Sequence, residues 1–169
     1  MIKEKLKLDD RDNIIIQMLQ KNPQTSQEEI AKVLKLSQPS VWARIKNLRE
    51  KGVIKHIVGM DFKTVDLNLA KVDVSATDTQ AVIDEFKDCP YFINALITSG
   101  KFNVCLFFTG TDLRNIEGIV NHHLRGNPKV KDIELNIVIS TANSFVLPLN
   151  LDCSKKKVDC NKECETCLD

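Results

Sequence analysis

The sequence predicts an α+β chain: an N-terminal winged-type helix-turn-helix, then a C-terminal ferredoxin-like βαββαβ domain. Three observations predict it. Positive charge collects in the first third of the chain, three capped apolar stripes at helical spacing follow one another there, and beyond residue 70 the apolar period becomes alternating. The 169 residues are 43% apolar and 28% charged, which suits one or two domains with cores of their own and excludes a disordered chain. No run approaches the roughly 18 apolar residues of a membrane span, and Met1 to Leu8 lacks the apolar stretch of a secretory signal. A cytoplasmic protein with no membrane partner is expected.

Residues 1–56 carry twelve Lys and Arg against seven Asp and Glu, residues 57–150 eight against eleven, and residues 151–169 four against five. A net charge of +1 therefore hides +5 on the first segment. That is the footprint of a polyanion contact, although a solvated helical surface can show the same count.

In the first domain, 1–56, Asp9 can cap a helix with Asp12 three residues on, and Ile14, Ile15, Met18 and Leu19 form its stripe up to Asn22-Pro23. Thr25 with Glu28 is expected to box the second helix, whose buried stripe is Ile30, Val33 and Leu34. After the break Lys35-Leu36-Ser37, Ser37 caps a third helix that tolerates Pro39 in its first turn. It turns Val41, Ile45 and Leu48 inward and stops at Gly52. Two short helices joined by a tight turn, the second of them basic, describe a helix-turn-helix. The third helix leaves Gln38, Ser40, Trp42, Arg44, Lys46, Asn47 and Arg49 on its other faces. Arg pairs bidentately with guanine and Gln or Asn with adenine, while Lys and Ser mostly hold phosphate, so these seven are the candidate DNA-binding residues. An ordinary solvated helix is the alternative, and Trp42 suits packing on the first helix as well as it suits DNA.

Residues 57–70 read as an extended linker. In the next domain, 71–148, Lys71 to Thr77 alternates as a strand, and Thr79 to Cys89 carries Val82, Ile83 and Phe86 at helical spacing. Phe92 to Thr98 and Phe102 to Thr109 form two strands around Ser99-Gly100-Lys101. A helix from Asp112 to Arg125 turns Leu113, Ile116, Ile119, Val120 and His123 to one side, and Ile133, Leu135, Ile137 and Ile139 alternate in a last strand. In this split βαβ order two helices cover one sheet face. Asn94, Leu96 and Val138 opposite Ile93, Ile97 and Ile139 make both strand faces largely apolar, so the uncovered face calls for a partner sheet and a homodimer at least.

Several segments in this order resemble the Lrp/AsnC (feast/famine) family of transcription regulators over residues 6–147. They are Leu8-Asp9-Asp10-Arg11-Asp12, Glu29-Ile30-Ala31, Leu36-Ser37 with Arg44-Ile45, Leu48 through Gly52-Val53-Ile54, and Ser99-Gly100-Lys101-Phe102-Asn103 before an apolar strand. The resemblance implies a dimeric protein that binds double-stranded DNA, assembles to tetramers or octamers, and in many members senses an amino acid. It implies that the helix from Gln38 to Lys51 enters the major groove with Ser40, Trp42 and Arg44 nearest the bases and Lys46 and Arg49 on phosphate. It also implies an effector site at Ser99, Gly100 and Asn103 between subunits. Family members commonly carry an acidic residue where this chain has Asn103, and an amide is a weaker partner for an ammonium group. A hairpin turn that needs only Gly100 is the alternative there.

Past Asn150 the resemblance stops, and the tail 149–169 holds Cys153-x6-Cys160-x3-Cys164-x2-Cys167. Four thiolates within fifteen residues meet the ligand count of a [4Fe-4S] cluster or of tetrahedral zinc. Only the last three are closely spaced, which favours the iron-sulfur cluster over zinc, and with it a regulator sensing redox or iron state. Disulfides or free thiols made reactive by Lys155, Lys156 and Lys157 remain as alternatives. So do an amino-acid-sensing regulator with a structural zinc tail and a small redox protein. Cys89 and Cys105 read as small buried apolar residues, and His122-His123 as surface and core neighbours. With no Gly-rich phosphate loop, nucleophile elbow or paired catalytic carboxylates, no enzyme is expected.

Overall fold

The computed structural model describes residues 2–149, and the chain divides after His56 into two units. The first unit holds α1 (Ile2–Lys5), α2 (Asp10–Lys21), α3 (Gln27–Leu34) and α4 (Gln38–Glu50). Each of the last three begins on a side-chain cap. Asp9 accepts from the Asp12 backbone N–H at 2.7 Å, and the Asp12 carboxylate accepts from the Asp9 N–H in return, which closes a capping box. The second box is Ser26 with Glu29, one residue later than the expected Thr25 and Glu28. Thr25 is not free to cap, because its hydroxyl donates to the Asn22 carbonyl at 2.7 Å. The shift moves the buried arc of α3 to Ile30, Ala31 and Leu34, and Val33, expected inside, is 58% exposed. Lys35 in the left-handed region (φ 52°) ends α3, and Ser37 at once caps α4, so the turn between them is three residues long. Ile15, Ile30, Ala31, Leu34, Val41, Ile45 and Leu48 form one buried cluster.

The second unit holds β1 (Met60–Asp61), β2 (Asn68–Ala76), α5 (Thr79–Asp84), β3 (Phe92–Ile97), β4 (Val104–Gly110), α6 (Leu113–His123), β5 (Val130–Ile137) and β6 (Val146–Leu147). The four long strands pair antiparallel in the order β3-β4-β2-β5, so the strands flanking each helix are not hydrogen-bonded to each other and the sheet is ferredoxin-like. Alternate residues of β2 (Ala70, Val72, Val74) and β4 (Val104, Leu106, Phe108) face Val82, Phe86, Ile116, Ile119, Val120 and Leu124 from the helical side. Phe86 meets Phe108 edge-on with centroids 5.1 Å apart.

Four local expectations change. The helix expected over 79–89 stops at Asp84 and continues as turns, Leu113 is exposed rather than inward, and Ile139 lies past the end of β5 and is exposed. The segment expected to be linker contains β1, hydrogen-bonded to β6, and the start of β2. Gly59 passes so close to the Leu147 carbonyl oxygen that any Cβ would overlap it. Asp61 fastens the same junction, its carboxylate accepting the Lys63 and Phe145 backbone N–H groups at 3.0 Å each.

The sheet face away from the helices is less apolar than the largely apolar surface expected. Leu96 and Phe107 are its large apolar residues along β3 and β4, with Asn94 paired opposite Phe107. Lys71, Asp73, Glu134 and Asn136 make it charged or polar along β2 and β5, because cross-strand register places these residues on one face. Lys71 and Asp73 pair there at 2.6 Å.

Phe86→Ala removes the ring at the centre of the second core, and chemical denaturation should show a loss of about 3–5 kcal/mol. An unchanged midpoint would contradict this packing.

Candidate nucleic-acid interface

The inward direction of α4 is set by Val41, Ile45 and Leu48, all buried. At about 100° per residue the opposite direction falls on Pro39, Ala43, Lys46 and Glu50, all exposed. Trp42, 52% exposed, lies on one flank of that face, and Ser40 and Asn47 lie on the other. Trp42 is thus about half open to solvent rather than enclosed in the first core. The Lys46 ammonium sits 5.2 Å from the centre of the Trp42 ring and 3.8 Å from the Glu50 carboxylate.

The seven residues singled out in the sequence do not share one role. Gln38, Ser40, Trp42, Lys46, Asn47 and Arg49 are exposed. Ser40 also belongs to the cap, its hydroxyl lying 2.8 Å from that of Ser37. Arg49 reaches His56 through Nη2 and Nε2 at 3.0 Å. Arg44, expected nearest the bases, is instead turned to the start of α2. Its Nη1 lies 2.7 Å from both Asp9 and Asp12, because two carboxylates of one capping box lie within its reach. Pro39 and Ala43 escaped the sequence reading, which sorted residues by hydrogen-bonding chemistry. Their signal was position alone, directly opposite the buried stripe.

The expected effector residues form a tight turn. Gly100 (φ +124°) takes a conformation that side chains disfavour, and the Thr98 hydroxyl and backbone N–H donate to Phe102 and Asn103 carbonyls at 2.7 and 2.9 Å. Lys101 pairs with Asp132 at 2.5 Å. The Asn103 amide both donates to the Ala76 carbonyl and accepts from the Ala76 N–H, each at 2.8 Å. It thereby prolongs the β2–β4 ladder beyond the Val74–Val104 pair. Where a ligand contact was expected, Asn103 holds backbone.

Cys153, Cys160, Cys164 and Cys167 lie outside the described residues, and among the described residues no group of three or more His, Cys, Asp or Glu is placed to hold a metal. Burial, and next the Asp73 carboxylate, push the Cys105 thiol up to about 11, which keeps it protonated at neutral pH. Cys89 packs against the second core. His123 lies edge-on to Phe86 at 5.4 Å, and burial lowers its pKa.

A capped helix pair whose second member turns a Lys-, Trp- and Asn-bearing face outward, followed by a split βαβ sheet, defines a DNA-binding regulator of helix-turn-helix type. Residues 8–55 match the family model described as winged helix-turn-helix DNA-binding. The transcriptional regulator LrpA of Pyrococcus abyssi is 27% identical over 123 residues, spanning 69% of this chain and 86% of that protein. The transcriptional regulator FL11 of Pyrococcus furiosus is 48% identical over 101 residues, 57% of this chain and 67% of that one. In fold, the chain resembles a transcriptional regulator of Neisseria meningitidis solved as a complex with L-Met. That match has a TM-score of 0.67 at 23% identity and covers 85% of this chain and 97% of that one. The chain belongs to the Lrp/AsnC family of helix-turn-helix transcription regulators, which are not enzymes. Among the described residues no helix is long and apolar enough to cross a membrane.

Two outcomes follow. Asn103→Leu removes both bonds to Ala76 and should lower stability by about 1–3 kcal/mol in urea titration, whereas no loss would mean the ladder does not need it. The Asp9 carboxyl is held below the usual carboxylate range, first by the Asp12 backbone N–H and then by Arg44. Its contribution is present above the ordinary value of about 4 and is lost as pH falls through the lowered one. Acid melts of the protein should therefore show a shallower pH dependence in Asp9→Asn, and identical profiles would contradict the assignment.

Proposed function

We propose that the protein is a homodimeric regulator that binds a specific duplex DNA site and reads it with the outward face of α4. The observation that carries this is the geometry of that helix. Val41, Ile45 and Leu48 are locked in the core, and Pro39, Ala43, Lys46 and Glu50, with Trp42, Ser40 and Asn47 beside them, are left to solvent. Asn47 suits adenine, Ala43 suits a thymine methyl, and Lys46, Arg49 and Gln38 suit phosphates or base edges at the rim. The apolar β3–β4 half of the uncovered sheet supports a second copy as the dimer partner, with assembly beyond the dimer left to solution measurement.

The effector is the second part of the proposal. The Neisseria protein is a complex with L-Met, which supports an amino acid as one candidate. Against it stands the Asn103 amide, already engaged with Ala76. We favour a metal on Cys153, Cys160, Cys164 and Cys167, a [4Fe-4S] cluster before zinc, as the element that answers to iron or redox state. A tail with Leu151, Val158 and Leu168 as its large apolar residues has little to fold around other than a crosslinker. It follows directly on β6, the strand paired with β1, and β1 is the first strand after the DNA-binding unit.

Lys46→Ala and Arg49→Ala should each flatten the salt dependence of duplex affinity by about one unit of slope, and Asn47→Ala should reduce discrimination between sequences by about 1–3 kcal/mol. Equal affinity for every duplex would overturn sequence reading. For the tail, protein purified without oxygen should carry about four irons and four sulfides per chain, and one zinc per chain would select the alternative. Neither metal would reject the site, and unchanged DNA affinity in Cys160→Ser would reject the sensing role.

A further inference from the structure

Arg44 occupies a position on α4 from which it could reach DNA, yet its guanidinium is spent inside the first unit. Nη1 bridges Asp9 and Asp12 at 2.7 Å each, and these two carboxylates also close the capping box of α2. Asp12 is the more enclosed partner, its side chain 13% exposed beside 29% for Arg44. The burial of Val41, Ile45 and Leu48 fixes which face of α4 is inward, and within that packing a charge-assisted bond from a rigid fork is directional, so this cluster can trim the residual rotation of α4 about its own axis.

Outer atoms of a helix lie about 5–6 Å from its axis, so a rotation of about 20° carries them about 2 Å, more than a base-edge hydrogen bond tolerates. Ser40, Ala43 and Asn47 lie four residues before, one before and three after Arg44, and each would be displaced.

We propose that Arg44 is a positioning residue: by tying α4 to Asp9 and Asp12 it aims the reading face and confers sequence discrimination without touching DNA itself. The inference rests on the reading of α4 as the DNA-reading helix. It differs from the role the family resemblance implies for this residue, in which Arg44 lies against the bases.

The test uses the full-length protein, a duplex selected by the wild type from a randomised pool, and a scrambled duplex of the same length. Each is titrated over a range of salt, with thermal melts to verify that every variant is folded. Arg44→Ala should lower affinity for the selected duplex roughly tenfold, leave affinity for the scrambled duplex unchanged, and leave the salt slope unchanged. The double variant Asp9→Asn with Asp12→Asn, which removes both charge partners of Arg44 without removing any group able to contact DNA, should lower the ratio of selected to scrambled duplex affinity in the same direction. A salt slope that drops by about one in Arg44→Ala would mean that Arg44 contacts DNA, and undiminished discrimination in the Asp double variant would mean that the cluster does not aim α4; either result would overturn the proposal. A wild type that selects no duplex would instead overturn the reading of α4 on which the proposal rests.

Discussion

The burial of Val41, Ile45 and Leu48 against Ile15, Ile30 and Leu34 is the constraint on which the rest of the first unit depends. A helix of 13 residues is marginal in water by itself, and α4 gains its order from this packing and from the Ser37 cap. With three inward positions fixed, the 3.6-residue period leaves no choice about which residues look outward. The face built on Pro39, Ala43 and Lys46 follows from the core. Ala43 at its centre carries a single methyl.

In the second unit the same division of labour holds between apolar packing and directional bonds. Alternation along β2 and β4 supplies the core, and short polar clasps fix what alternation leaves open. Asn103 extends the β2–β4 ladder, Lys101 holds the turn to Asp132, and Asp61 with the β1–β6 pair joins the two ends of the unit.

Much of this was legible in the sequence because the two periods, 3.6 and 2, are strong where elements are long. The capping of α2 by Asp9 and of α4 by Ser37, the inward Val41, Ile45 and Leu48, and the order βαββαβ all follow from pattern. The misreadings share a cause in long-range contacts. Thr25 and Ser26 are equally good caps in one dimension, and the hydroxyl bond to Asn22 decides between them. The contact of Arg44 with a carboxylate pair 32 to 35 residues earlier in the chain, and that of Asn103 with the Ala76 backbone, have no local signature either. The pairing of β1 with β6 spans most of the second unit and leaves no local signature, so that segment read as linker.

The central claim is that the exposed face of α4 meets DNA, and the chain offers a direct probe of it. Trp42 is the single tryptophan, it is half-exposed, and it lies on the flank of that face. Titration of the protein with duplex DNA, followed through Trp42 emission and its quenching by acrylamide, is the measurement to make. The account predicts a saturable change in emission, with reduced quencher access, that tracks binding measured independently by anisotropy of labelled DNA. Binding by anisotropy with no change in emission or in quenching of Trp42 would place the DNA elsewhere and contradict the account.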